Sequence, residues 1–394
     1  MKYYINFLRD KPIIRSLSLV NFIASFGAWF STVAIYTMVV EFGSSEFAIA
    51  IVTAMHFIPA ILIAPFSGSL IDRLKIKPLM VTLLFIELSM TACFLLIETA
   101  SDLWLLLIFI FIRMSAASMF FSSEMSLLAK IATGKDLQTA NEIQSIIWSF
   151  TYAVGMAVSG FIVNLYGVKA AILIDVAIFV LAFFVFLNIK INIEYKKVEE
   201  KILELMIDGL RYIKNNKIIL HLIFLHASVG LTSYDALITI LAKNEYKELI
   251  AVPLAIGLSN AVRAVALMIG PLFLNKIIKK DNLQYLLIFQ GITIIIWAFA
   301  QSNFYLSLGA LFFVGFSTAF LWSYTYALLQ NHCDKKYIGR VISYNDMFFM
   351  LANVVTTLFI GTMAHVTTTS IITICLGVAF LFYAYYYTKI YSKI

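Results

Sequence analysis

Charged residues are scarce in this chain, and so are proline and cysteine. Only 13% of its 394 residues are charged, whereas a soluble domain carries roughly 25%. Six prolines and three cysteines are present, and three cysteines cannot form a closed disulfide framework. The shortage of charge excludes a large solvated surface and, with it, an ordinary soluble domain.

Motifs for nucleotide hydrolysis and metal catalysis are missing as well. No G-x-x-x-x-G-K-S/T run occurs, because Gly134-Lys135 has Ala129 where the upstream glycine is needed. The five histidines are scattered without metal-ligand spacing, and no Ser/His/Asp arrangement stands out. The connections between apolar stretches are mostly too short to hide a soluble catalytic domain. We therefore expect no enzyme activity, no metal and no cofactor, with an ion gradient as the energy source.

Long apolar stretches fill the chain almost from end to end. Hydrophobic residues make up 62% of the sequence, and the mean hydropathy is +0.92. About 20 apolar residues in a helix cross the ~30 Å hydrocarbon core of a membrane. The sequence predicts an all-α integral membrane protein with twelve spans near 13–40, 46–70, 78–97, 103–126, 140–164, 169–189, 218–241, 250–275, 283–300, 304–331, 338–364 and 368–388.

The basic residues predict the orientation of these spans. Of 29 Lys and Arg residues, 24 lie on one side, three lie on the other and two lie inside spans. Cationic loops stay in the cytoplasm, so both termini are predicted to be cytoplasmic. At the start, Lys2, Arg9 and Lys11 precede an apolar run that has no small-residue cleavage site. We interpret this run as a retained first span. The net charge of +7 then reflects topology, and no nucleic-acid partner is expected.

A basic connection close to the midpoint divides the chain into two halves of six spans. We predict an N-terminal half over 1–189, a linker over 190–217 and a C-terminal half over 218–394. The linker is predicted to be an amphipathic helix at the cytoplasmic interface, serving either as a connection or as a partner-binding surface. Its apolar residues recur at helical spacing: Val198, Ile202, Leu205, Met206, Leu210 and Ile213.

The two halves resemble each other weakly in sequence. Span 5 opens with Asn141-Glu142 and span 11 opens with Asn345-Asp346. Related halves around a central cavity are typical of transporters that bind substrate near the middle of the membrane. The pattern therefore favours a transporter.

The loop after span 2 resembles a known signature. It reads Gly68-Ser-Leu-Ile-Asp72-Arg73-Leu-Lys75, which is similar to the loop motif of the major facilitator superfamily, with Lys75 in place of that family's second glycine. The resemblance implies the major facilitator fold. It also implies that Gly68, Asp72 and Arg73 act in gating at the cytoplasmic side.

Further segments look like one branch of that superfamily. The run from Met119 through Glu124 to Asn141, the Asp208-Gly209 segment before span 7 and Gly339-Arg340-Val341 resemble macrolide-efflux-like and siderophore-exporter-like members. This resemblance implies alternating-access export of an amphipathic small molecule, in multidrug efflux or siderophore release. It further implies a monomer in the cytoplasmic (inner) membrane of a bacterium. Glu124 and Arg340 are interpreted as gating or loop contacts.

Proton coupling requires a titratable group inside the membrane, where an unpaired charge costs at least ~2.5–3.5 kcal/mol. Arg113 in span 4 resembles the intramembrane arginine of proton-coupled drug exporters, and a purely structural salt bridge is the alternative. Glu87, Asp175 and Asp235 are the candidate coupling acids, with Glu87 also a candidate partner of Arg113. His226 in span 7 is a weaker candidate, and Arg263 in span 8 is the matching intramembrane cation of the second half.

Two groups of polar and aromatic residues are candidates for substrate contact, with helix packing as the alternative for both. The first occupies one face of span 1, and the second lies in span 10. Their members are Asn21, Ser25, Trp29, Thr32 and Tyr36 in the first group, and Trp322, Ser323 and Tyr326 in the second.

Two other functions stay open on the sequence alone. One keeps the fold and changes the cargo to a lysophospholipid or another lipid. The other is a membrane scaffold or sensor without transport, against which the intramembrane Glu87, Arg113, Asp175 and Asp235 argue.

Overall fold

The computed structural model describes residues 2–191, 202–334 and 336–391, and within them it is helical throughout, without strands. Long apolar helices result because the bilayer offers no partner for an unpaired backbone group. The N-terminal half contains α1 (Lys2–Asp10), α2 (Pro12–Glu41), α3 (Glu46–Ala54), α4 (Ile58–Arg73), α5 (Ile76–Cys93), α6 (Leu103–Ile131) and α7 (Gly134–Leu187). The rest contains α8 (Ile202–Asn215), α9 (Lys217–Ala227), α10 (Asp235–Leu241), α11 (Val252–Ile277), α12 (Leu283–Ala300), α13 (Phe304–His332), α14 (Ile338–Met363) and α15 (Thr369–Ile390).

Eleven helical stretches of the described residues are long and apolar enough to cross a membrane, and one of them, at 54 residues, is more than twice the length of a single span. This stretch is the 54-residue α7, which breaks at Gly167 with φ 81° and ψ 172°. A side chain is strained at such a positive φ, so glycine provides the turn between the two arms. Counting the arms separately gives the twelve segments that the sequence predicts.

Two of the spans are discontinuous. Span 2 is divided into α3 and α4, and span 7 passes from α9 through a 3₁₀ turn at Ser228–Thr232 into α10. Serine, glycine and threonine have poor helix propensity, and Gly230 lies so close to Ala352 and Asn353 that a side chain would collide with them. Broken helices of this kind are common where transporters bind substrates and ions.

The two halves meet along α7 and α11. Gly160 of α7 and Gly257 of α11 face each other there, and a Cβ on Gly160 would come within 2.8 Å of the carbonyl oxygen of Pro253. Small residues allow helix backbones in lipid to approach this closely. This close approach therefore places span 5 at the boundary between the halves.

A second contact joins the halves at the predicted outer end. Lys243 donates to the Glu46 carboxylate at 2.9 Å and to the carbonyl oxygen of Ser44 at 2.8 Å. Beside this pair, Gly361 of α14 packs directly on Ala50 of α3. The molecule is therefore closed by polar and apolar contacts at this end.

The described part of the linker forms the helix α8, whereas Val198 and the rest of 192–201 lie outside the described residues. Asp208 of α8 accepts a 2.7 Å hydrogen bond from Arg340, and Tyr344 donates to the carbonyl oxygen of Met206 at 3.0 Å. Gly209 makes room for the stem of Arg340. Arg340 thus attaches the linker helix to α14.

Gly270 offers a test of the helix packing in the C-terminal half. A Cβ at this position would overlap the backbone oxygen of Phe316 in α13, whereas a Cβ on Gly309 would meet nothing within 4 Å. We expect Gly270→Ala to destabilise the protein by about 3 kcal/mol, because a backbone atom cannot move aside as a side chain can. Gly309→Ala should be neutral or slightly stabilising, since alanine favours helix. Thermal unfolding of the two purified variants checks this, and equal midpoints would contradict the packing.

Candidate functional site

An ion pair is buried inside the N-terminal half. Arg113 of α6 contacts Asp175 of α7, with 3.2 Å between Nη2 and Oδ2, and the exposed fractions of the two side chains are 6% and 0%. Ser31 of α2 donates a hydrogen bond to the same carboxylate oxygen. Gly27 makes the site possible, because a side chain there would occupy the space of the other Asp175 oxygen. That second oxygen has no hydrogen-bond partner among the described residues.

Glu87 of α5 completes a group of three charges. It is 7% exposed and interacts electrostatically with both Arg113 and Asp175. The rings of Phe94 and Phe179 cover the guanidinium, with their centroids 5.6 and 5.2 Å from its carbon. The triad of Glu87, Arg113 and Asp175 therefore holds two acids and one base in an apolar shell, and it is electrically neutral when one acid carries a proton.

Asp235 lies apart from this triad, beside Arg263. The distance between the Arg263 Nη1 and the Asp235 carboxylate is 3.9 Å, and Nη2 donates to the carbonyl oxygen of Thr232 at 2.7 Å. Tyr152 of the N-terminal half lies 3.5 Å from Nη1 and donates to Asn260 at 3.1 Å. This cluster crosses the boundary between the halves and satisfies a carbonyl that the break in span 7 exposes. The four coupling candidates are thus divided between two clusters.

Glu124 lies inside the bundle at a third polar cluster. It is 2% exposed and accepts hydrogen bonds from Gln144 at 2.7 Å and from Asn21 at 3.2 Å. Asn21 also donates to Gln144 and accepts from Ser25 at 2.7 Å. Of the residues predicted to contact substrate, Asn21 is therefore engaged with α6 and α7, and Ser25 is bonded to Asn21.

The other members of the span 1 stripe are in aromatic or local contacts. The ring centroids of Trp29 and Tyr152 are 4.4 Å apart, and Tyr36 is buried with its ring 5.8 Å from that of His56. Thr32 donates to the carbonyl oxygen of Ala28 in its own helix. The stripe is thus one face of α2, and most of its side chains pack against other helices of the same, N-terminal half.

The span 10 residues form an aromatic group with α9 and α14. Trp322 and Tyr326 stack with centroids 5.0 Å apart, and both rings meet the edge of His226. Phe349 lies 5.5 Å from the same imidazole. Ser323 donates to the carbonyl oxygen of Phe320. Trp322 remains 40% exposed, so this group is not sealed by protein.

The loop motif is described only in part. The side chains of Gly68 and Asp72 lie outside the described residues, whereas Arg73 is the exposed last residue of α4. Among the described residues no group of three or more His, Cys, Asp or Glu could hold a metal ion. The roles of Gly68, Asp72 and Arg73 stay predictions.

Sequence reasoning passed over several polar residues that the structure places in these clusters. They are amides, hydroxyls and an imidazole within apolar spans, a signal that was readable in the sequence: Ser31, His56, Gln144, Tyr152 and Asn260. Placing a side chain of any of these types in lipid costs free energy, so each is expected to be paired or functional.

Two bundles of spans, a broken helix at their boundary and buried charges in both halves define a membrane transporter of the kind built from related halves. The sequence profile of the Major Facilitator Superfamily matches residues 17–357. The chain belongs to this superfamily. No curated protein sequence matches the chain significantly.

Solved transporter structures share the fold over nearly the whole chain. The nucleoside transporter NupG has a TM-score of 0.76 and 12% identity, covering 96% of this chain and 99% of its own. A bacterial homolog of the human lysosomal transporter Spinster, inward-facing and occupied, has a TM-score of 0.71 and 14% identity, with 98% and 97% covered. The POT family transporter PepTSo has a TM-score of 0.70 and 13% identity, with 96% and 98% covered. At such identities the likeness shows the fold and not the substrate.

Proposed function

We propose that the protein is a proton-coupled exporter of an amphipathic small molecule, working by alternating access in a bacterial cytoplasmic membrane. The buried triad of Glu87, Arg113 and Asp175 carries the proposal. Two acids sharing one arginine favour the uptake of a single proton, because the doubly ionised triad has an uncompensated negative charge in an apolar surrounding.

The geometry assigns different roles to the two acids. Asp175 contacts Arg113 directly and also accepts from Ser31, so it serves as the fixed counter-ion. Glu87 has no hydrogen bond to another described side chain and retains slight exposure, so it is the acid that takes up and releases the proton. Asp235 is the alternative carrier, since its contact with Arg263 at 3.9 Å is loose.

Contacts between the halves support alternating access. The closure around Glu46 and Lys243 lies at the end that the basic loops predict to be outside. Opening at this end requires the Glu46–Lys243 contact and the packing of Gly361 on Ala50 to separate. We therefore interpret these contacts as features of one discrete conformational state. We assign this structure to the inward-facing state of the cycle.

Proton movement in inverted membrane vesicles tests the function. The vesicles are energised to an acidic lumen and then given macrolides, lipophilic cations, siderophores or lysolipids. We expect at least one class to discharge the pH gradient in vesicles that contain the protein and not in vesicles that lack it. Such a response identifies an antiporter and its substrate class together.

The opposite outcomes are equally informative. No response to any ligand, with folded protein present, would contradict proton antiport. Transport of lysolipids without any change in the pH gradient would show a lipid transporter of the same fold instead.

A further inference from the structure

Asp346 is an intramembrane acid without an ion-pair partner in the part of the chain that the structure describes. It lies about two turns into α14, partly buried. Its one side-chain partner within the described residues is the amide of Asn345, at 3.4 Å, and no Lys or Arg among them forms an ion pair with it. An acid in a spanning helix is expected to be paired or functional. The cation that pairs with Asp346 can therefore be a ligand.

Aromatic faces stand beside this acid. Tyr326 lies within electrostatic reach of Asp346, and its ring stacks on Trp322 at an angle of 21°. Phe349 follows Asp346 by about one helical turn and packs on His226, which also contacts Trp322 and Tyr326. Aromatic faces attract a cation through their quadrupoles, and more so when the cation is desolvated. An acid next to stacked aromatic rings suits an organic cation.

His226 adds a hydrogen-bond acceptor. Its Nδ1 lies 2.8 Å from the hydroxyl of Thr325, which donates its own proton to the carbonyl oxygen of Leu321 at 2.7 Å. In the tautomer that keeps both hydrogen bonds, the neutral imidazole carries its proton on Nδ1 and donates it to the hydroxyl. The remaining nitrogen, Nε2, is a buried acceptor without a partner among the described residues. A donor N–H would satisfy it.

We propose that Asp346, Trp322, Tyr326 and His226 form a binding subsite for a protonated amine, which makes the substrate an amphipathic organic amine. The proposal rests on the proposed function as an exporter. Asp346 neutralises the ammonium, the two rings cover its alkyl or aryl substituents and His226 Nε2 accepts its N–H. Nε2 is buried in this structure, and Trp322, which packs on the imidazole, is the exposed member of the group.

The internal repeat relates the His226 and Thr325 pair to a polar pair of the N-terminal half, Asn21 and Glu124. Asn21 and His226 occupy the same position counted from the first residues of α2 and α9. Glu124 and Thr325 likewise match when counted from the first residues of α6 and α13. Within the described residues, Glu124 accepts hydrogen bonds from the neutral amides of Asn21 and Gln144. Both symmetry-related sites therefore contain an acid or a hydrogen-bond acceptor. This polarity favours a cationic ligand over an anionic one.

Equilibrium binding to the purified full chain in lipid nanodiscs tests the subsite. The probes are imipramine, a protonated tertiary amine, its N-methyl quaternary derivative, and the uncharged iminodibenzyl. We expect imipramine to bind wild type, and Asp346→Asn and Trp322→Ala to weaken it at least about tenfold each. His226→Phe should weaken imipramine and leave the quaternary derivative nearly unchanged, because that compound has no N–H to donate.

Two control variants are matched to these substitutions. Asp10→Asn removes an exposed acid, and Phe382→Ala removes an exposed ring of α15. Both should bind imipramine as wild type does, and thermal unfolding should show that all variants are folded. Equal binding by wild type and Asp346→Asn, or equal binding of imipramine and iminodibenzyl, would overturn the subsite.

The outcomes also separate this inference from the proposed function. Amine binding that depends on Asp346, without any proton movement in vesicles, would uphold the subsite and remove the antiport. Discharge of the pH gradient by an uncharged ligand, with no binding of imipramine, would uphold the antiport and overturn the subsite.

Discussion

Replacing Glu87 by Gln is expected to abolish ligand-driven proton movement while the protein stays folded. The substitution leaves Arg113 and Asp175 as a neutral pair, so the triad no longer has a site that needs a proton. Shape and polarity are nearly preserved, and ligand binding measured without a gradient should change little. Proton efflux from energised vesicles upon ligand addition should fall to the level of protein-free vesicles.

Companion variants separate coupling from structure. Glu87→Asp keeps the acid and should restore part of the activity. Arg113→Ala should instead destabilise the protein by about 3–5 kcal/mol, because it leaves two buried acids without a cation. Glu98→Gln, which removes an exposed loop acid paired with Lys169, serves as the matched control and should behave as wild type. Normal proton movement in Glu87→Gln would exclude Glu87 as the carrier and shift the assignment to Asp235.

Replacing Glu46 by Gln is expected to shift the protein toward a state that is open at the outer end. The Glu46 carboxylate binds Lys243 at 2.9 Å and lies 3.6 Å from His365, and both partners belong to the C-terminal half. A half-buried hydrogen bond to a charged group is worth about 1.5–3 kcal/mol. Its loss should therefore raise the ratio of outward-open to outward-closed molecules by about 10- to 100-fold.

Electron–electron distance measurements can follow this shift. Spin labels at Glu41 and Val366, in a background without the native cysteines, report the separation of the halves at the outer end. Glu46→Gln should populate longer distances, and Glu245→Gln, a neighbouring exposed acid, should not. An unchanged distance distribution in Glu46→Gln would mean that the apolar contact of Gly361 with Ala50 alone holds this end closed.

The absence of water in the lipid core explains why the spans could be predicted from the sequence. A segment that crosses lipid must be apolar over about 20 residues and helical, and both requirements are local. Eleven long helical stretches of the described residues cover the predicted segments, and the predicted spans 5 and 6 form one stretch that breaks at Gly167. The family match to residues 17–357 confirms the fold that the loop after span 2 and the Gly339-Arg340-Val341 segment implied. The cytoplasmic location of the termini and the branch within the superfamily stay predictions.

Partner choice among the buried polar residues was not predictable in the same way. The sequence showed that Glu87, Arg113 and Asp175 are intramembrane charges, and the structure showed that Arg113 contacts Asp175 directly, with Glu87 beside the pair. Which carboxylate meets the guanidinium depends on the rotation of each helix and on the space that Gly27 leaves. Neither quantity is encoded in a local pattern.

The polar face of span 1 illustrates the same division. Helical periodicity correctly placed Asn21, Ser25 and Trp29 on one face, because spacing within a helix is set by its geometry. Only the packing of α2 against α6 and α7 decided that Asn21 bonds to Glu124 and Gln144. The sequence by itself determined what must lie in the membrane and which residues are too polar to lie there alone. The tertiary structure decided which of them meet, because contacts between helices depend on small residues and rotations far apart in the chain.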